Sequence, residues 1–590
     1  MRRPTRWALI VSKFPRLLCA PHFLLDPQSH PHLTRVFSTE THVTETRTIT
    51  EQPPASEPED SHAGQLVTAE LAKAREECRK RVRELAAECR AGNRKFRDLD
   101  FNLEEDRQRC LHGCTRPDPP FKPSDVQRVT QIFDRPRFFS DAGPNSGDII
   151  QSEALGNCWF LSALSTCAAM EGLVERFCVE RDEAVGIYGF IFFRDNAWVP
   201  VVIDDLLYTC IPKFEDLTVT EKALYHNDLE TYNRSARKGG STLYFARSGQ
   251  QGETWVPLLE KAYSKLHGDY ASLVAGWDGE AVEDLTGGVA GIVQIKDILD
   301  PDHFWTHELL RANKDRLFAC SFADGFNRDS NTALKSTGLF AFHSYSVLRA
   351  VETRGKRFLV LRNPWGNGGG VSGSSGGWAG PWSNGSREWT QEWMGILPVL
   401  GHSFGDDGRF VMEYKDFLEF FGRMDRTLLF DSRWVMASHW VFLPASPSPW
   451  TSSYGDVSCD LQGVSPSHAL LSLQCCLLLL NPVLTVTITI PAKTRTVIVL
   501  SRVNERYWMD LRGCYEWNID FKLYKKGSKK CIGRSVHSSS WKKSVSLETE
   551  LDEGEYVVHV SIRCSSFSES QDADVFECRS ARTGCCRGAR

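Results

Sequence analysis

The segment Asp148-Ile149-Ile150-Gln151-Ser152-Glu153-Ala154-Leu155-Gly156-Asn157-Cys158-Trp159-Phe160-Leu161 constrains this chain more than any other. From Cys158 to Met170 it runs through good or neutral helix formers, and the Gly156-Asn157 pair suits a tight turn leading into a helix. Cys158 is therefore predicted in a first helical turn. Unpaired backbone N–H groups and the positive end of the dipole there favour thiolate over thiol. A lone cysteine in such a run is more often a small core hydrophobe, so residues elsewhere must decide.

Two distant segments do so. His343 stands in Leu339-Phe340-Ala341-Phe342-His343-Ser344-Tyr345-Ser346-Val347-Leu348, an alternating, aromatic-rich strand candidate. Asn363 ends the apolar run Arg357-Phe358-Leu359-Val360-Leu361-Arg362, and Pro364 stops that strand. His343 lies 185 residues after Cys158 and 20 before Asn363. Two adjacent strands can bring the last two side by side, facing the cysteine helix from another lobe. A thiolate attacks an acyl carbon, an imidazole pairs with it and later protonates the leaving amine, and an amide orients the ring. Trp365 can shield that amide contact from water.

These residues resemble the calpain family of papain-like cysteine endopeptidases. The resemblance also takes in Val126 to Phe133, Val202-Ile203-Asp204-Asp205, Glu253 to Tyr263, Glu283 to Gly288 and Arg362-Asn363-Pro364-Trp365-Gly366, and covers roughly Lys95 to Asp431. The lead-in from Arg97 to Gly113 is similar to that of fungal members. The resemblance implies an α+β fold, a two-lobed papain-like core followed by an antiparallel β-sandwich. It makes Cys158 the nucleophile, His343 the base and acid, and Asn363 the orienting amide, with Gly156, Trp159 and Trp365 as substrate or shielding residues. Gln151 resembles the family's oxyanion glutamine, but stands seven residues before the cysteine instead of six. The resemblance then implies one residue inserted around Ser152–Glu153, absorbed by a bulged loop or produced by a wrong splice boundary. The family's calcium implies Asp148 and Glu253 as ligands in the first lobe. In the second lobe Asp407 fits a weaker site, because Arg409 stands where an acid is expected and repels a cation.

The expected organisation is a disordered leader over 1–65, a charged helical segment over 66–94 and a first protease lobe over 95–288. A second lobe over 289–431, a β-sandwich over 432–564 with a doubtful insert at 444–481, and a disordered tail over 565–590 follow. The leader is Arg-rich and acid-poor like a presequence, or is simply unfolded. The helix of 66–94 reads as solvated or as a partner helix. The insert turns abruptly from Ser/Pro to Leu/Cys, and the Gly/Ser run from Gly366 to Gly377 reads as a flexible loop. No Asp-x-Asp-x-Asp-Gly loop occurs, so no EF-hand domain is expected.

Composition enters by exclusion. Seventy basic and 75 acidic residues give a net charge of −5, without the basic excess of a nucleic-acid binder. Nineteen cysteines without framework spacing suit reduced cytoplasmic thiols. Lys525, Lys526, Lys529, Lys530, Lys542 and Lys543 can meet anionic lipid or an acidic partner, or form a solvated face. The resulting expectation is a calcium-dependent cytoplasmic cysteine endopeptidase that makes limited cuts in protein substrates, without an obligate small subunit. A catalytically impaired scaffold and a transglutaminase-like acyltransferase remain alternatives.

Overall fold

The computed structural model describes residues 46–51, 64–113 except 67, 121–321, 337–366, 377–443, 454–460, 468–477, 483–507 except 505, 515–535 and 543–566. Most of the expected leader, residues 444–453, 461–467 and 478–481 of the expected insert, residue 482, most of the Gly/Ser run and the tail from 567 lie outside the described residues.

The charged segment forms the helix Ala69–Ala91, capped by Thr68, whose hydroxyl accepts the Leu71 N–H at 3.1 Å. Leu71, Ala74, Cys78, Val82, Ala86 and Cys89 recur every three or four residues and are all buried. That stripe lies on the three-stranded sheet Cys178–Asp182, Ile187–Arg194 and Ala197–Asp204. Gly189 permits the close approach, since a Cβ there would stand 2.7 Å from both the Cys78 sulfur and the Val82 methyl. Arg83 pairs with Glu180 at 2.7 Å, and Arg90 with Asp182. The helix is thus not solvated all round. Its partner is the first lobe, and the interleaved charges had concealed a narrow stripe of small residues.

The first lobe is built around the helix Cys158–Ala168, buried from Trp159 through Cys167, and the helix Trp255–His267 beside it. The latter carries Lys261, whose ammonium is enclosed with Asp204. The second lobe is an antiparallel six-stranded sheet in the order Arg409–Glu413, Lys356–Arg362, Ser344–Thr353, Arg316–Ser321, Arg423–Leu428, Val289–Gln294. Ser346 is opposite Arg362, so the residues just before one strand and just after the other meet at one end of the sheet.

The chain then alternates between the two sheets of a sandwich. Trp434–Leu443, His468–Leu477, Thr494–Arg502 and Ser544–Leu551 form one, with Thr46–Glu51 on its edge. Tyr454–Asp460, Val483–Ile490, Gly554–Ser566, Tyr515–Lys525 and Cys531–Arg534 form the other. Each crossing reverses direction, so the next strand but one runs parallel to the first. Trp434–Leu443 with His468–Leu477, and His468–Leu477 with Thr494–Arg502, are parallel for this reason, as are Tyr454–Asp460 and Val483–Ile490, while the other pairs are antiparallel. The Leu/Cys run of the expected insert supplies a central strand. Leu471 and Leu473 enter the sandwich core with Ile488, Ile498 and Phe521, while Leu470 faces Leu66, Trp198 and Trp434. A strand covered on both faces needs an unbroken apolar run, which is why it lacks alternation.

Lys525, Lys526, Lys529 and Lys530 are exposed around one hairpin, with Lys526 paired to Glu555 at 3.1 Å. Lys543 does not belong to that face. It points inward and is 13% exposed, donating to Asp284 of the first lobe at 2.5 Å. Lys542 lies outside the described residues. Among the described residues no helix is long and apolar enough to cross a membrane.

Candidate active site

Asn157 accepts the first intrahelical bonds, its carbonyl taking the Phe160 N–H at 3.0 Å and the Leu161 N–H at 3.2 Å. Cys158 is thereby in the first turn of its helix, as its sequence context predicts. The Asn157 amide does not cap the helix. It donates instead to the buried Glu260 carboxylate at 2.7 Å, and the other Glu260 oxygen accepts the Ala246 N–H at 3.0 Å. Burial pushes Glu260 up to about 7. Glu260 is the single acid of the helix Trp255–His267, and that was the one sequence sign of this support beneath the cysteine turn.

His343 and Asn363 meet as their strands require. The ring Nε2 is 2.7 Å from the Asn363 amide oxygen, and both residues are buried. That oxygen also accepts the Trp365 backbone N–H at 3.0 Å, which fixes it as the acceptor. Nε2 must therefore carry the proton, leaving the Nδ1 lone pair free as a base. The Trp365 ring lies 4.5 Å from the imidazole, and Phe340 lies 4.5 Å from Trp365. Together they roof the imidazole–amide contact. The strand begins at Ser344, five residues later than the start of the alternating pattern at Leu339. His343 is in the preceding turn, after Phe342 with a φ of 55°, a left-handed conformation uncommon outside glycine.

Ser344, on the second lobe, reaches the cysteine. Burial pushes the Cys158 thiol up to about 11, while hydrogen bonds from the Ser344 backbone and hydroxyl pull it back and Asp278 raises it. The Ser344 hydroxyl also stands 2.8 Å from the Asp278 carboxylate, so its single hydrogen is shared between two acceptors. Burial lowers His343 to about 4, against the Asn363 hydrogen bond. Burial thus keeps each of the two groups neutral at pH 7. Ser162 and Ser346 join the lobes just behind, with the Ser346 hydroxyl donating to the Ser162 carbonyl at 2.8 Å.

Gln151 lies on the seam between the lobes. Its N–H donates to the Pro364 carbonyl at 3.0 Å, and its side-chain amide donates to the Leu155 carbonyl at 3.1 Å. In the stretch between Gln151 and Leu155 the Ser152 hydroxyl donates to Tyr244 O at 2.7 Å and accepts the Ala154 N–H at 3.1 Å. At Gly156 a Cβ would meet nothing within 4 Å, so packing does not demand glycine there. Trp159 is 1% exposed and donates to the Leu273 carbonyl at 2.8 Å. It faces the core, away from any substrate, because it follows the cysteine on the inner side of the helix.

The two acid sites differ. Asp148 and Glu253 lie close enough for Glu253 to raise Asp148, whose carboxyl is lifted chiefly by burial. Gln250 donates to Asp148 at 3.0 Å, and Glu253 accepts from Ser140 N at 2.9 Å and Ser248 Oγ at 2.5 Å. Two like charges with oxygen donors fit a hard cation in chemistry. Among the described residues no group of three or more His, Cys, Asp or Glu side chains converges as for a metal. Backbone carbonyls would have to complete such a shell. Asp407 does not fit: its carboxylate accepts the Arg409 N–H at 3.0 Å and pairs with the Arg409 guanidinium at 3.1 Å. That guanidinium also bonds the Asn145 side chain at 2.6 Å and the Ser146 hydroxyl at 3.3 Å in the first lobe. The buried Arg362 donates to Asp407 O and Gly147 O, both at 3.1 Å, and to Ile149 O. Two arginines of the second lobe thus grip the loop that carries Asp148.

A family model described as calpain family cysteine protease matches residues 96–427. Mouse calpain-9 is 32% identical over 339 residues, covering 56% of this chain and 42% of that protein. Calpain clp-1 of Caenorhabditis elegans is 32% identical over 355 residues, 58% of this chain and 39% of the relative. The calpain-type cysteine protease DEK1 of Zea mays is 30% identical over 340 residues, 55% of this chain and 14% of the relative. The matched part spans less than half the length of each of these three relatives.

Proposed function

Because the chain belongs to the calpain family of cysteine proteases, we propose that it is a calcium-regulated cysteine endopeptidase making limited cuts in cytoplasmic proteins. One observation carries this reading: His343, oriented by Asn363 at 2.7 Å, directly precedes the Ser344 that touches Cys158. His343 Nδ1 takes the thiol proton, and the sulfur attacks the scissile carbonyl carbon. The backbone N–H groups of the first turn, with Gln151 as oxyanion donor, face the developing charge. The imidazolium returns the proton to the leaving amine as the C–N bond breaks. Water, deprotonated by the same ring, then releases the acyl group from sulfur. Asn363 holds the ring throughout, and Trp365 keeps water from that contact. The cleft between lobes admits an extended segment and not a compact domain, which limits cleavage to accessible stretches. The exposed lysines of the 525–530 hairpin offer a contact for anionic lipid or an acidic partner.

Asp148 and Glu253 would hold calcium, which would neutralise two crowded carboxylates beside the lobe seam. Asp148→Asn is expected to weaken calcium binding about tenfold or more, and Asp407→Asn to leave it within about twofold. Isothermal titration of the Cys158→Ser chain distinguishes the two. Equal effects of both substitutions would reject this assignment.

The reading is tested directly by casein cleavage and by an epoxide thiol probe, with calcium and reductant present. Cleavage and labelling of Cys158, both lost in Cys158→Ser, are expected; a chain that does neither is no protease. The acid limb of kcat/KM is expected below pH 5, because burial holds His343 near about 4 and its base form survives there. An acid limb at 6.5 would mean a solvated imidazole. The rival reading, an impaired scaffold, draws on the Gln151 amide being bonded to Leu155. Slow turnover rescued by deleting Ser152 would favour it.

A further inference from the structure

We propose that the β-sandwich supplies a positioning residue to the protease site: Arg506, which locks the loop 272–276 and the Trp159 indole beneath Cys158. The proposal rests on reading Cys158 as the nucleophile. Arg506 follows the strand Thr494–Arg502 and reaches out of the sandwich into the first lobe, with its side chain 9% exposed. Its guanidinium carbon stands 4.3 Å from the Trp159 ring centroid. One terminal nitrogen donates to Ser272 O at 2.6 Å and to Ala275 O at 3.0 Å. The other donates to Glu280 at 2.8 Å, and Nε donates to the second Glu280 oxygen at 3.3 Å. Every face of the planar fork is used, which a single ammonium cannot reproduce.

What the fork holds is tied to the cysteine turn. Ala275 sits at a φ of 58°, a left-handed conformation that its surroundings must maintain. Its N–H donates to the Gly156 carbonyl at 3.0 Å, two residues before Cys158. Gly276 leaves no slack: a Cβ there would lie 2.4 Å from the Trp159 ring and 2.8 Å from Arg506. Glu280 shares the helix Asp278–Thr286 with Asp278, the acceptor of the Ser344 hydroxyl. Arg506 therefore sets the height of the cysteine turn from one side and anchors the Ser344 partner from the other. Its own loop is braced, with Arg506 N donating to Asn504 at 2.9 Å and Asn504 N to Asp195 of the first lobe at 2.8 Å. A sulfur displaced by about 1 Å can lose roughly 100-fold in rate.

The test uses the full chain and its Arg506→Gln, Arg506→Lys and Glu280→Gln variants. The readouts are kcat and KM on a fluorogenic peptide, and the pH profile of Cys158 alkylation by iodoacetamide. Arg506→Gln is expected to lower kcat about tenfold or more with KM within about twofold, and to move the alkylation limb to higher pH. Arg506→Lys should fall between, keeping the charge over Trp159 without the fork. Glu280→Gln, which loosens the fork and keeps the guanidinium, should lose about threefold or more in kcat. Should Arg506→Gln fail to fold, Glu280→Gln decides alone. Unchanged kcat and alkylation in the folded variants would overturn the proposal. A parent chain that cleaves nothing counts against the protease reading, while the alkylation profiles still judge Arg506.

Discussion

Replacing His343 with alanine is expected to lower kcat/KM by about a thousandfold or more. Burial keeps the Cys158 thiol near about 11. A thiol at that value is ionised to roughly one part in ten thousand at pH 7. In the proposed mechanism the imidazole takes that proton, since a serine hydroxyl is no base at pH 7 and Asp278 is itself held up to about 8 by burial and by Asp425. Asn363→Ala should cost less, about ten- to a hundredfold, because the ring stays and loses only its orientation and its fixed tautomer. Peptide cleavage and iodoacetamide labelling on the same preparations check both. A His343→Ala chain within tenfold of the parent would remove the imidazole from the mechanism. Equal losses in the two variants would mean that the amide acts on more than the ring.

The second large effect falls on stability. Lys261→Met is expected to destabilise the fold by about 3–5 kcal/mol. The ammonium is fully enclosed and donates to the Asp204 carboxylate, to Leu206 O at 2.8 Å and to Asp204 O at 3.2 Å. Removing it strands a carboxylate that is 1% exposed, together with two carbonyls. Asp204 also accepts the Asp98 N–H at 2.8 Å and the Leu206 N–H at 3.0 Å, so it cannot simply turn toward water. Urea unfolding of the Cys158→Ser chain with and without Lys261→Met gives the difference. A loss under about 1 kcal/mol would mean that water reaches Asp204. Adding Asp204→Asn should recover part of the loss, since the stranded charge goes while an acceptor remains.

The helix start at Cys158 and the meeting of His343 with Asn363 were legible because each imposes local sequence. A helix must begin at the cysteine, so a turn precedes it and small or apolar residues follow. Strands must end at the imidazole and the amide, so proline and aromatics mark them. The supports were not legible, because each is a single contact between segments far apart in the chain. Glu260 sits 103 residues from Asn157 and Arg506 sits 226 from Glu280, and no periodicity announces either. The Ala69–Ala91 helix misled for another reason. Four of its six buried positions are alanine or cysteine, and both are weak hydrophobic signals beside about 30 Å of interleaved charge from Glu70 to Arg90, between about five and six turns. The leucine run at 469–473 broke the alternation expected of a strand because that pattern assumes one wet face, and this strand has none.

Arg362 and Arg409 have one more consequence, which follows from their being part of the polypeptide. A diffusible ion departs when its supply falls. A side chain cannot depart, so its local concentration is set by geometry alone. The grip of these arginines on residues 145–149 is therefore predicted to survive dialysis against chelator and to change little in concentrated salt, because Arg362 is buried and both side chains bond neutral carbonyl, amide and hydroxyl groups there. Geometry, and not ion supply, would govern how tightly that junction is latched.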